Sequence, residues 1–130
     1  MDSRRYLDWY DKAKKDMRGA EILFESEADN SLVAFHCQQA IEKMLKGYIL
    51  MRTKQLLEGH SLIFLIRRAA QFDDEIIKYK KDCAFVNQFY IETRYPADIP
   101  DEVDEYEVKE CLDTAREVLN HIEINSTQEL

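Results

Sequence analysis

Apolar residues in this chain recur every three or four positions through segment after segment, and nowhere do they alternate. Leu7, Tyr10, Ala13, Met17, Ala20 and Phe24 keep that spacing, which lines one face of a helix. The run ESEADNS ends it, and Asn30 or Ser31 is placed to cap the next helix. The second segment, LVAFHCQQAIEKMLKGYILMRT, gathers Val33, Cys37, Ala40, Ile41, Met44 and Tyr48 on one face. It is the most hydrophobic segment and is expected at the centre. KQLLEGHS breaks the pattern, and Ser61 can cap a short helix bearing Leu62, Leu65, Ile66 and Ala69. Asp73 or Asp74 opens a fourth helix with Ile76, Cys83, Val86 and Tyr90. Pro96 biases Tyr95 to an extended backbone, so this helix is expected to end near Thr93 or Arg94. In DIPDEVDEYEVKE, Asp104 and Glu107 form a capping box for a last helix carrying Val108, Leu112, Ala115, Val118 or Leu119, and Ile122. Only three glycines and two prolines interrupt the 130 residues. The expected fold is all-α: an antiparallel, up-and-down bundle of four long helices plus one short helix. It forms a single domain over residues 1–125, with 126–130 a frayed tail.

The charge balance limits the partners. Eighteen basic residues against 26 acidic ones give −8, which disfavours bulk binding to nucleic acid, although a local basic stripe would still bind it. The acids around 98–110 either suit the positive end of the last helix dipole, which explains them locally, or form an acidic docking site. No apolar run reaches membrane-spanning length, and MDSRRYLDWYDK contains no signal-peptide core, so a cytoplasmic protein with no membrane partner is expected. Cys37, Cys83 and Cys111 are odd in number, widely spaced and outside any CxxC, as expected of buried thiols in a reducing compartment.

Several chemistries lack their motifs. The sequence holds no P-loop, no GxGxxG, no HExxH and no acid-rich metal loop, so neither a cofactor nor a metal is expected. On a helix turning about 100° per residue, His36, Gln39 and Lys43 fall within about 60° of one another on one flank of the second segment. Gly47 continues that flank and Lys46 lies just outside it. Such a flank either binds a phosphate and reads a base or ribose, or is simply the solvated side of an amphipathic helix. His60, in EGHSL, is either a local hydrogen-bonding residue or a site residue. In FYIETRYPADIP, Arg94 stands at an expected helix end, where a cation is favoured electrostatically. Tyr90 and Tyr95 flank it and suit stacking on a nucleobase or on the guanidinium.

Taken together, AFHCQQAIEKMLKGYIL, GHSLIFLI, FYIETRYPADIP and the AREVL of the last helix resemble the HEPN domain family over residues 5–122. With its RYP the chain resembles the subgroup encoded beside a minimal nucleotidyltransferase. The resemblance implies a helical bundle, and in many members a metal-independent ribonuclease. Those members pair an arginine with a histidine five to seven positions on, two copies meeting in one dimer cleft. Arg94 falls at the place of that arginine, but residues 97–101 supply no histidine, so the catalytic pair is incomplete. Arg116 and His121 have the right gap, yet five positions along a helix point them about 140° apart.

The reading that results is a nucleotide-binding subunit of such a pair, which can also act as a toxin–antitoxin module, in which Arg94, Tyr90 and Tyr95 contact phosphate and base. His36, Gln39, Lys43 and His60 are the candidate co-liners of a groove there, whether or not their flank and Arg94 face it together, and a homodimer is expected. The alternatives are a dimeric, metal-independent ribonuclease acting on RNA through His36 or His60, and a plain interaction bundle.

Overall fold

The computed structural model describes residues 5–90 and 103–128. The regular structure among them is helical throughout: α1 (Tyr6–Glu25), α2 (Asn30–Thr53), α3 (Leu62–Ala70), a 3-10 helix (Asp74–Tyr79), α4 (Lys80–Asn87) and α5 (Glu105–Gln128). None of these helices is long and apolar enough to cross a membrane.

The periodic faces are where the core forms. Tyr10, Ala13, Met17 and Ala20 of α1 pack along α2, whereas Leu7, in the first turn of α1, stays about half exposed at the edge of the stripe. Val33, Cys37, Ala40, Ile41, Met44 and Tyr48 are wholly buried. Helix α2 lies against α1, α3, α4 and α5, so it has almost no solvent side between Ala40 and Leu50. That close approach has a backbone cause at Gly47. A β-carbon there would stand 2.8 and 2.9 Å from the Tyr10 ring and 3.0 Å from Trp9 Cβ, so only glycine lets α1 come this near.

Side-chain caps set the helix starts. Asp29, one residue ahead of the expected Asn30 or Ser31, caps α2: its carboxylate accepts the Ser31 N–H at 2.8 Å and the Ser31 hydroxyl at 2.6 Å. Asn30 instead donates to the Val103 carbonyl at 2.9 Å, tying the start of α2 to the approach to α5. Ser61 caps α3 by accepting the Phe64 N–H. Asp104 accepts the Glu107 N–H at 2.8 Å while Glu107 accepts the Asp104 N–H at 3.1 Å, the reciprocal pair that the sequence predicts.

The fourth segment differs from the single long helix expected. Asp73 captures the Glu75 N–H two residues on, an Asx-type turn that feeds a tight 3-10 start, and α-helix follows only from Lys80 to Asn87. Asn87 ends it and turns its side-chain oxygen to the Leu62 N–H at 3.0 Å, satisfying a second donor at the start of α3. Tyr90 therefore stands beyond the helix. The expected stop at Thr93 or Arg94 lies outside the described residues.

At the other end, α5 continues through Gln128, past position 126 where the sequence suggests fraying. The buried Ser126 hydroxyl donates to the Ile122 carbonyl and lies 2.6 Å from the Tyr10 hydroxyl, anchoring the last turn on α1. The three cysteines are free and buried. Burial pushes the Cys83 and Cys111 thiols up to about 12 and Cys37 still higher.

Candidate functional site

One strip of α2 carries polar groups into the core. Gln38, Glu42 and Lys46 recur at four-residue spacing on one side of the helix, and all three are buried. Each is satisfied by another. Lys46 Nζ donates to Glu42 Oε2 at 3.0 Å, and Gln38 Nε2 donates to Glu42 Oε1 at 3.2 Å and to the His60 carbonyl at 3.2 Å. A carboxylate this deep requires such compensation, because an unpaired buried charge costs several kcal/mol, about 3–5 when one partner of a pair is removed.

His60 completes the arrangement from the loop before α3. Its Nδ1 sits 3.1 and 3.2 Å from the two Glu42 oxygens while the imidazole remains half exposed. The carboxylate accepts the Nδ1–H, so the neutral ring carries its lone pair on Nε2. Tyr90 stacks on that ring with centroids 4.3 Å apart and planes 14° from parallel. Phe35, on the same side of α2, lies 6.4 Å from Tyr90 and 5.6 Å from the His36 ring. The result is a layered aromatic surface above a buried ion pair.

The expected flank is a neighbouring strip. Lys43 Nζ is ion-paired with Asp16 of α1 and also donates to Gln39 Oε1 at 3.3 Å. Gln39 Nε2 in turn donates to Gln38 Oε1 at 2.8 Å. His36, Gln39, Lys43, His60 and Tyr90 thus belong to one array linked by ring contacts and hydrogen bonds, but not as a row of open phosphate ligands. The Lys43 charge is engaged by Asp16, and one face of Tyr90 is covered by the His60 ring. Arg94 and Tyr95 lie outside the described residues.

Helical-face reasoning misses Gln38, Glu42 and Lys46 because it assigns polar residues to solvent. The signal for them is the length of the α2 apolar run, which implies burial on more than one side. The Arg116–His121 alternative comes apart as the helix geometry requires. Arg116 pairs with Glu21 and Asp113, while His121 turns to Asp73 and Tyr79.

A concavity of about 970 Å³ lies where α1 ends and α2 and α5 begin. Glu25, Glu27, Asp29, Asp104 and Glu105 line it, and that acidity makes it a poor place for a phosphate.

A family model described as HEPN domain matches residues 6–125. Among solved structures, TT1696 from Thermus thermophilus superposes with a TM-score of 0.81 at 29% identity, covering 93% of this chain and 98% of that one. ST0689, described as an archaeal HEPN homologue, superposes with a TM-score of 0.72 at 24% identity, covering 93% of this chain and 97% of that one, and shows the shared fold. No curated protein matches the sequence.

Proposed function

The chain belongs to the HEPN domain family, and from that premise we propose that it is a nucleotide-binding subunit working beside a minimal nucleotidyltransferase, in a pair of the toxin–antitoxin kind. The observation that carries this reading is the His60–Tyr90 stack on the buried Glu42 carboxylate. A rigid, half-exposed aromatic platform with a polar edge suits a nucleobase, whose stacking on aromatic side chains is worth about 1–3 kcal/mol per base. Glu42, Lys46 and Gln38 lock the platform in place, so little ordering entropy is spent on binding. Arg94, four residues beyond Tyr90, supplies the phosphate contact, with Tyr95 beside it. His36, Gln39 and Lys43 border the platform rather than form its floor.

The test is titration of the folded protein with adenine and guanine nucleotides. Arg94→Ala and Tyr90→Ala are each expected to weaken binding about tenfold or more, the loss that about 1.4 kcal/mol represents, with the helical signal intact. Unchanged affinity in both variants refutes the site. Stoichiometric recovery of a nucleotidyltransferase with the tagged protein from its host tests the partnership. A homodimer is part of the reading, which the solution mass of the purified protein tests.

A second reading has an observation of its own. With Nδ1–H held by Glu42, a neutral His60 presents Nε2 as a base, the orientation a ribonuclease needs to take a 2′-hydroxyl proton. RNA cleavage that persists in EDTA and disappears in His60→Ala favours this reading over the first. Intact RNA removes it.

A further inference from the structure

A second polar cluster lies where the 3-10 helix meets the C-terminal half of α5. His121 and Asn125, one turn apart on α5, face Asp73 at the start of the 3-10 helix. His121 Nε2 is 2.9 Å from Asp73 Oδ2 and 3.0 Å from Asn125 Nδ2, and Asn125 also reaches Asp73 Oδ2. Glu75 brings a further carboxylate. One donor atom from each of Asp73, Glu75 and His121 lies within 4.8 Å of the others. The His121 and Asp73 side chains are largely buried, while Glu75 is exposed and leaves a way in.

Without an ion these groups close into a hydrogen-bond network, His121 Nε2–H and the Asn125 amide both donating to the Asp73 carboxylate. An ion held among them would take the place of the Nε2 proton, and the Asn125 amide, turned by half a revolution, would present its oxygen to it.

The separations of His121 Nε2 from Asp73 and Asn125, 2.9 and 3.0 Å, are close to those of ligands around one ion, while Glu75 would have to swing inward to join them. Ligand atoms bound at about 2.1 Å to a tetrahedral or octahedral ion sit roughly 3.0–3.4 Å from one another. Tyr79 supplies the outer support that metal-bound histidines use. Its hydroxyl lies 3.2 Å from His121 Nδ1 and can accept that N–H, which leaves the Nε2 lone pair for the ion.

We propose that His121 Nε2, the Asp73 and Glu75 carboxylates and the Asn125 amide oxygen form a binding site for one divalent transition-metal ion. The mixed nitrogen and oxygen donor set favours an ion of borderline hardness such as Zn²⁺ or Co²⁺ over Mg²⁺. The ligands come from two elements far apart in sequence, which is why no metal motif is visible there. The ion cross-links the 3-10 helix to α5. The site is independent of the nucleotide reading.

The experiment is titration of chelator-stripped, reduced protein with Zn²⁺ and, for its visible spectrum, Co²⁺, with no nucleotide present. One saturable site is expected, with a weak Co²⁺ spectrum free of thiolate charge-transfer bands, and its affinity should fall at least tenfold in His121→Gln and in Asp73→Asn. Glu75→Gln, at an exposed position that leaves the fold unstrained, should also weaken binding, while His60→Ala should not. Absence of a saturable site in the wild type overturns the proposal. So does a site that survives both Glu75→Gln and Asp73→Asn, or one lost in His60→Ala.

Discussion

Replacing Gly47 with alanine sets two known effects against each other. In the middle of a helix, alanine is favoured over glycine by about 0.8–1.0 kcal/mol. Against that, the new methyl would stand 2.8 and 2.9 Å from two atoms of the Tyr10 ring and 3.0 Å from Trp9 Cβ. The ring has little freedom to yield, since Tyr10 is buried, its hydroxyl is bonded to Ser126 and Tyr6 meets it edge-on at 5.4 Å. Forcing α1 away from α2 falls in the range for overpacking a dense core, about 1–3 kcal/mol. The steric term is the larger over nearly the whole of that range, leaving a net loss of about 0–2 kcal/mol, with its middle near 1. With a urea slope of about 1.5 kcal/mol per molar, a loss of about 1 kcal/mol lowers the unfolding midpoint by roughly 0.7 M. Urea unfolding followed by circular dichroism measures this directly. In a Tyr10→Leu background the same substitution should lose much of its cost. A Gly47→Ala protein more stable than the parent would refute the claim that glycine is there for helix contact.

Three further outcomes rest on the packing and the electrostatics. Glu42→Ala leaves the Lys46 ammonium and Gln38 without their buried acceptor and should cost about 3 kcal/mol in thermal or urea unfolding. Lys46→Met leaves the Glu42 carboxylate with Gln38 and His60 and should cost less; an equal loss would show that these two neighbours cannot stand in for the ammonium. The native cysteines should resist thiol reagents near neutral pH and react once the protein is unfolded, because burial holds Cys83 and Cys111 at about 12. Rapid labelling of the folded protein contradicts that packing. Hydrogen bonds from the Ser31 side chain and backbone hold the Asp29 carboxyl below its ordinary 3.8. Its contribution is therefore complete above 3.8 and is lost as pH falls through the lower folded value. Asp29→Asn keeps a capping side chain without the titration, so its stability should fall less between about pH 4 and pH 2 than the parent's. Matching acid profiles would remove Asp29 from the account.

The apolar faces were legible because period and burial coincide in α1, α3 and α5: Leu62, Leu65, Ile66 and Ala69 are named by spacing and are buried. The Asp104–Glu107 box was legible for a similar reason, since its chemistry is local to four residues. The Asp73 turn was not. An aspartate can open an α-helix or close on the N–H two residues ahead, and the sequence does not choose between them. Nor were Glu42 and Lys46, whose burial depends on α3 and the His60 loop arriving from elsewhere. The Asp73–His121 cluster joins residues 48 positions apart. His36, Gln39 and Lys43 were correctly grouped by angle, yet Asp16, which decides what Lys43 does, stands on another helix.

Helix α2 is enclosed by four others and has almost no face of its own to water. Its amide protons therefore have no local way out. The ends of α1 and α5 can fray and α3 can lift, but most of α2 cannot meet solvent until its neighbours have left. Hydrogen exchange along Ala40–Leu50 should converge on a single opening free energy, the global one, while other segments exchange sooner. The central helix is in that sense an internal gauge, and its slowest amides report the stability of the whole fold.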